Sequence, residues 1–189
     1  SAGSVWNANS VTNLTLNEDT STISLVYSGA SESVFYGGGE TYNNLTIGGG
    51  TGITKFRYGV SNTFNVFTIL KPKTVNFTAG TTTTVSSFVA VGDISDGIII
   101  TSLTSATHTL SDSSGTNAVS YCTISYSIAE GGATWNALVN CTDNGNNSGW
   151  NFAAAGVIKT INGLAFGSVK TYNGLAIGSV KTINGVAAQ

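Results

Sequence analysis

The chain has 189 residues, enough for one compact domain with an ordinary core plus a small appendage. Charged residues make up 8% of it, seven basic against nine acidic, and no run of Lys or Arg could neutralise several phosphates, which argues against a nucleic-acid partner. No apolar run approaches the roughly 18 to 20 residues of a membrane helix, and one His, two Cys and no Met leave little material for catalysis or for a metal site.

The opening Ser-Ala-Gly-Ser shows no basic segment followed by an apolar one; a small first residue in a Met-free chain reads as initiator-Met removal in preference to a cleaved secretory signal. With 41% hydrophobic and 10% aromatic residues beside 24 Gly and 27 Thr, the composition suits pleated, half-buried surfaces and not a solvated coil. Period-two alternation recurs throughout and predicts an all-β chain. Strands are expected at Asn13 to Leu16, Ser21 to Tyr27, Ser33 to Tyr36, Asn44 to Ile47, Ile53 to Tyr58 and Phe64 to Leu70. Further strands are expected at Thr74 to Thr78, Val85 to Val91, Gly97 to Leu103, Thr107 to Ser111, Ala118 to Ser127 and Ala137 to Thr142. Gly, Ser, Asn and Asp fill the gaps, most clearly at Gly37 to Gly39 and Gly48 to Gly50. Three regions follow: an N-terminal β arm (1–40), a β-rich body (41–153) and three 11-residue repeats (154–189).

Two architectures compete for the body, a short parallel β-helix or solenoid and an antiparallel β-sandwich. Internal matches favour the solenoid. Cys122-Thr123 and Cys141-Thr142 share one phase at a spacing of 19, and Phe64 to Thr68 repeats the apolar rhythm of Val85 to Val89 at 21, close to one solenoid turn. Stacked coils would bring the two Cys Cα atoms about 4.8 Å apart, within disulfide range. The preferred reading is nevertheless two small buried hydrophobes in an inner ladder.

Chemical motifs are sparse, and no catalytic residue, metal or cofactor is expected. His108 reads as a surface or stacked polar residue of a strand. Asp93 follows Gly92 and Asp96 precedes Gly97, so both read as turn formers and not as a glycosidase pair. Asp143 to Asn147 is a poor calcium loop, because Gly145 occupies a ligand position and Ala154 stands where the bidentate Glu should be.

At the C-terminal end an 11-residue unit occurs three times, aligning Ile158, Val169 and Val180, then Lys159, Lys170 and Lys181, and three Asn-Gly pairs. Its glycines oppose a helix, and Asn-Gly between apolar residues is a strong hairpin signal, so the tail is predicted as a meander of very short strands. Each unit is too small to stand alone. Its apolar stripe, Ile158, Ile161, Leu164, Phe166, Val169, Tyr172, Leu175, Ile177, Val180 and Ile183, is therefore expected to be a partner-binding surface, buried against the body, sister tails or another protein, the plainer alternative being a last sheet edge of the same domain.

Gly131 to Ala137 running into Asp143 to Phe152 resembles the closing segment of phage and environmental β-helix repeat regions, and the Lys-Thr-Ile-Asn-Gly-Leu-Ala repeats resemble the short Asn-Gly tails of phage virion proteins. About half the chain carries this likeness to β-rich capsid-decoration and fibre proteins of tailed bacteriophages. The resemblance implies a non-enzymatic virion component, a homotrimer held at one end by the major capsid protein or another virion protein. Two alternatives are a tail or head fibre segment whose exposed aromatics, such as Trp135 and Trp150, grip host glycans, and a secreted bacterial adhesin or small glycan-active enzyme. The chain departs from polysaccharide-degrading tailspikes in being short and in lacking an acidic cluster.

Overall fold

The computed structural model describes residues 5–9, 14, 16–153, 160–161, 164–165, 169–173, 175–176, 182–183 and 186–187. The chain divides into two units, Ser1–Phe152 and Ala153–Gln189. The first contains β1 (Val5–Asn7), β2 (Thr22–Val26), β3 (Ser33–Tyr36), β4 (Thr41–Gly48), β5 (Ile53–Phe56), β6 (Asn62–Leu70), β7 (Lys73–Phe77) and β8 (Thr82–Val91). It continues with β9 (Ile98–Ser102), β10 (His108–Ser111), β11 (Thr116–Ser120), β12 (Cys122–Ile124), β13 (Ser127–Glu130), β14 (Thr134–Val139), β15 (Thr142–Asp143) and β16 (Trp150–Phe152).

One sheet, A, stacks β1, β3, β5, β7, β9, β12 and β15; the other, B, stacks β2, β4, β6, β8, β11, β14 and β16, with β10 and β13 alongside. The strands within both pair in parallel, so the backbone winds as a β-solenoid of about six turns. A sandwich would need antiparallel neighbours. The internal matches set the register: Phe64 pairs with Val85, Phe67 with Phe88, and Thr123 with Thr142. β1 to β3 add to the same sheets, so residues 5–40, expected as an arm, share a unit with the body.

Parallel strands bury both ends of each coil against neighbours, and the inward positions form an aromatic column. Phe35, Phe64, Phe67, Phe77 and Phe88 are all buried, with ring centroids 5.4 to 6.1 Å apart for Phe64–Phe67, Phe67–Phe88 and Phe67–Phe77. Each such ring contributes roughly 1.5 to 3 kcal/mol by leaving water. At one end of the column Trp6 Nε1 donates to the Tyr42 hydroxyl, which donates to Gly37 O.

Partway along, sheet B changes shape. β8 pairs through Thr82 to Thr84 with β10 and through Ala90 and Val91 with β11, so one long face becomes two shorter ones. The chain between β10 and β11 leaves the sheet there, and the Phe88 N–H loses its strand partner. Asn117 Oδ1 accepts that N–H at 2.7 Å, while Asn117 Nδ2 donates to buried Asp112 at 2.8 Å. The Asp112–Asn117 pair satisfies the backbone at the junction.

Ala118 to Ser127, expected as one strand, is three. Tyr121 and Tyr126 adopt left-handed conformations, φ 52° and 53°, and turn the chain on either side of β12. Likewise Ala137 to Thr142 breaks at Asn140, φ 49°. β1 and β16 carry too few residues to register as alternation. Leu14 and Leu16 are not in a strand, and the rest of the Asn13 to Leu16 prediction lies outside the described residues.

Gly149 has φ +75°, and a Cβ there would lie 1.8 Å from Ala129 O, whereas Gly115, φ +86°, has open space around it. Gly149→Ala is expected to destabilise the first unit by at least about 2 kcal/mol, and Gly115→Ala by about 1 kcal/mol, from backbone strain alone. Urea melts followed by circular dichroism check the difference; equal effects would mean the close approach to Ala129 does not matter.

The second unit holds three antiparallel hairpins: β17 (Thr160–Ile161) with β18 (Leu164–Ala165), β19 (Thr171–Tyr172) with β20 (Leu175–Ala176), and β21 (Thr182–Ile183) with β22 (Val186–Ala187). Ile161↔Leu164, Tyr172↔Leu175 and Ile183↔Val186 each flank an Asn-Gly pair. Asn173 has φ 49°, as the first central residue of a type I′ turn requires. Each repeat closes on itself; among the described residues no pairing links one hairpin to the next, where a continuous meander was expected.

Candidate interaction surfaces

Among the described residues nine large hydrophobic side chains are exposed, and eight of them lie where the chain passes from sheet B to sheet A. Val26, Leu70, Val91, Leu138 and Val139 end β2, β6, β8 and β14; Ile53 opens β5 and Ile99 is second in β9; Ile94 lies between β8 and β9. Period two explains the first group: Val26, Leu70 and Val91 are the outward neighbours of buried Leu25, Ile69 and Ala90. Stacking then lines them up, because Val26 pairs with Gly48, Leu70 with Val91, Val91 with Ser120 and Ser120 with Val139. Gly48 makes room in this column, since a Cβ on it would lie 2.5 Å from Leu70 Cβ. Ile53 and Ile99 flank Thr74 in a second column on sheet A. The result is an aliphatic edge parallel to the solenoid axis, with one ion pair beside it, Lys71 with Asp93.

The outer face of sheet A, which also carries Ile53, holds a groove of about 500 Å³ beside β3 and β5. Glu32 accepts from Lys55 Nζ and lies 3.6 Å from Arg57 Nη2. The Lys55 hydrogen bond, with smaller help from Arg57, holds the Glu32 carboxyl below the ordinary range. The Tyr36 and Tyr58 rings meet at a tilt of 43° with centroids 4.8 Å apart, and Tyr58 is 63% exposed with φ 72°, a strained conformation for a bulky residue.

Other expected sites fall differently. Trp135 and Trp150 are buried, their rings 5.2 Å apart in the core, so neither can grip a glycan; Trp135 Nε1 donates to Glu130 O and Trp150 Nε1 to Ser127 Oγ. No protein-family model, curated protein or solved structure matches the chain. His108 is not on the surface: it is buried and stacked on Phe77 at 4.4 Å, neither ring nitrogen has a hydrogen-bond partner among the described residues, and burial pushes its pKa down to about 3. Asp93 does form a turn, its Oδ1 accepting the N–H groups of Ser95 and Asp96. Asp143 spends its Oδ1 on the Gly145 N–H and on Asn147 Nδ2. Among the described residues no three His, Cys, Asp or Glu side chains converge as metal ligands.

Of the tail stripe, Ile158, Phe166, Ile177 and Val180 lie outside the described residues. Ile161, Leu164, Tyr172, Leu175 and Ile183 sit on hairpin strands, and Val169 is half-buried between two hairpins in sequence. The aliphatic edge was missed in the sequence, although each outward residue next to a buried strand end was a usable signal.

Proposed function

We propose that the protein is a non-enzymatic structural component of a tailed-phage particle, a capsid decoration or cement protein that self-associates as a homotrimer and attaches to the major capsid protein or another virion protein. The observation that carries this reading is the aliphatic edge. Singly scattered exposed aliphatics need no explanation, whereas eight gathered at the B-to-A corners, four of them stacked in one column on sheet B and two in another on sheet A, match what a lengthwise interface requires. Three solenoids about a common axis would each remove such an edge from water, and the shortage of charges keeps the desolvation penalty low. The hairpin repeats, each too small to hold together alone, serve as the attachment region through the stripe from Ile158 to Ile183.

Leu70→Lys combined with Val91→Lys is expected to weaken self-association at least about tenfold while leaving the melting temperature of the dilute protein unchanged. Sedimentation velocity over a concentration series reads this out; a wild-type chain that stays monomeric at high concentration would remove the trimer. Truncation after Gly156 should leave a folded body that no longer binds particles. Mass spectrometry of purified virions tests the setting, since absence from them would end the particle reading.

A second reading, a fibre segment that binds host glycans, draws support from the Tyr36–Tyr58 pair beside Arg57 and Glu32, an aromatic platform next to hydrogen-bonding charges. Glycan-array binding lost in Tyr58→Ala would favour it.

A further inference from the structure

Cys122 and Cys141 occupy equivalent corners of successive coils. Each follows a left-handed residue, Tyr121 at φ 52° and Asn140 at φ 49°, and each opens onto a strand of sheet A. Cys122 Sγ lies 3.3 Å from Ser120 O and 3.6 Å from Ala90 O, and Cys141 Sγ lies 3.5 Å from Val139 O and 3.6 Å from Val119 O. The two surroundings are one coil apart, because Ala90 pairs with Val119 and Ser120 with Val139. Thr123 pairs with Thr142, which places the two Cys side by side, and the Cys122 N–H donates to Cys141 Sγ at 3.4 Å. Neighbouring parallel strands keep Cα atoms about 4.8 Å apart, inside the window of roughly 4.4 to 6.8 Å that a disulfide needs. Both sulfurs are thiols in this structure; Cys122 is buried and Cys141 is partly open to solvent.

We propose that Cys122 and Cys141 form a reactive dithiol site that takes low-molecular-weight disulfides as substrate and closes a cross-coil bond between the last two turns of the solenoid. Cys141 is the attacking sulfur. It is the accessible one, and its pKa falls to about 7 because the Cys122 thiol and then the Cys122 and Tyr121 backbone N–H groups stabilise its thiolate against the opposing effect of burial. The same contact, with burial, pushes the Cys122 thiol up and keeps it protonated. In the first step Cys141 thiolate attacks one sulfur of the small disulfide, forming a mixed disulfide and expelling one small thiolate. Cys122 then gives its proton to solvent base and attacks Cys141 Sγ, forming the Cys122–Cys141 bond and expelling the second thiolate. Two protein thiols are oxidised and one small disulfide is reduced to two thiols.

The bond would tie β12 to β15, where the strand pairing covers only two residue pairs and β15 is two residues long. The last turn is thus the part of the sheet with most to gain from a covalent link.

The test is to incubate the full chain with oxidised glutathione. Expected are loss of both titratable thiols, an intact mass lower by two hydrogens with no glutathione retained, and a peptide map joining Cys122 to Cys141. The rate should level off below the ordinary thiol range, following the lowered Cys141, and not go on climbing through that range. Cys122→Ser should stop at one glutathionyl group on Cys141, and Cys141→Ser should react at least about tenfold more slowly, its remaining sulfur being buried. Amide exchange in β14 to β16 should slow at least about tenfold in the oxidised chain. Should either variant unfold, iodoacetamide labelling of the wild type gives the order of reactivity without a substitution, with Cys141 expected first. Thiols that still titrate after treatment, a stable wild-type glutathione adduct, a bridge between two copies, or Cys122 labelled first would each overturn the proposal.

Discussion

Phe67→Ala is expected to destabilise the solenoid by about 3 to 5 kcal/mol, among the largest effects of a single core truncation in the first unit. Phe67 is wholly buried on β6 and its ring meets four others, those of Phe56, Phe64, Phe77 and Phe88. It pairs in register with Leu45 on one side and Phe88 on the other, so the cavity would open at two coil interfaces at once. In a solenoid each coil is stabilised only by its neighbours, and a gap there cannot be relieved by distant repacking. Phe67→Leu, which keeps most of the volume, should lose less than half as much. Urea unfolding by circular dichroism measures both; a loss under about 1 kcal/mol for the alanine variant would show that the column relaxes into the gap.

Acid sensitivity is the second large effect. Burial depresses the His108 pKa to about 3 in the folded chain, against an ordinary value of 6.5 when unfolded. Below about pH 6.5 the unfolded chain therefore takes up a proton that the folded one refuses until about pH 3. Stability is complete above 6.5 and declines as pH falls through that window, by roughly 5 kcal/mol in total. His108→Phe removes the titrating group while keeping a flat ring against Phe77, and it also removes two buried nitrogens that have no partners. The variant should be at least as stable as wild type at pH 7 and much less sensitive between pH 6.5 and 3. Parallel pH-dependent melts decide this: identical acid profiles for the two proteins would mean that carboxylates alone govern the response.

Solenoid phase is legible in the order of residues. The matches of Phe64 with Val85 and of Cys122-Thr123 with Cys141-Thr142 are side-by-side pairs in the sheets, because stacked coils force equivalent residues into equivalent environments. Asn-Gly similarly announces the hairpins of the repeats, since it places backbone with positive φ where a two-residue turn demands it. Strand breaks at Tyr121 and Tyr126 are hidden, as nothing in a tyrosine foretells a left-handed corner. Trp135 and Trp150 look available for sugars because aromatic residues serve equally in cores and in binding faces.

Lys73 shows the same limit from the charged side. It opens β7 facing inward, buried, with no hydrogen-bond partner for its Nζ among the described residues, and burial holds its pKa below the ordinary lysine range. A reading by residue type places any lysine on the outside.

What the amino-acid sequence determined by itself was the extended backbone, the parallel stacking and the repeat length, all of which follow from local alternation and from self-similarity along the chain. Only the tertiary fold settled which side chains face water at the corners, where the aliphatic edge lies, and how the Asp112–Asn117 pair closes the junction in sheet B. Alternation tells inside from outside only within a strand. Each corner resets that phase by an amount set by one or two backbone dihedral angles, and those are chosen by the coils above and below.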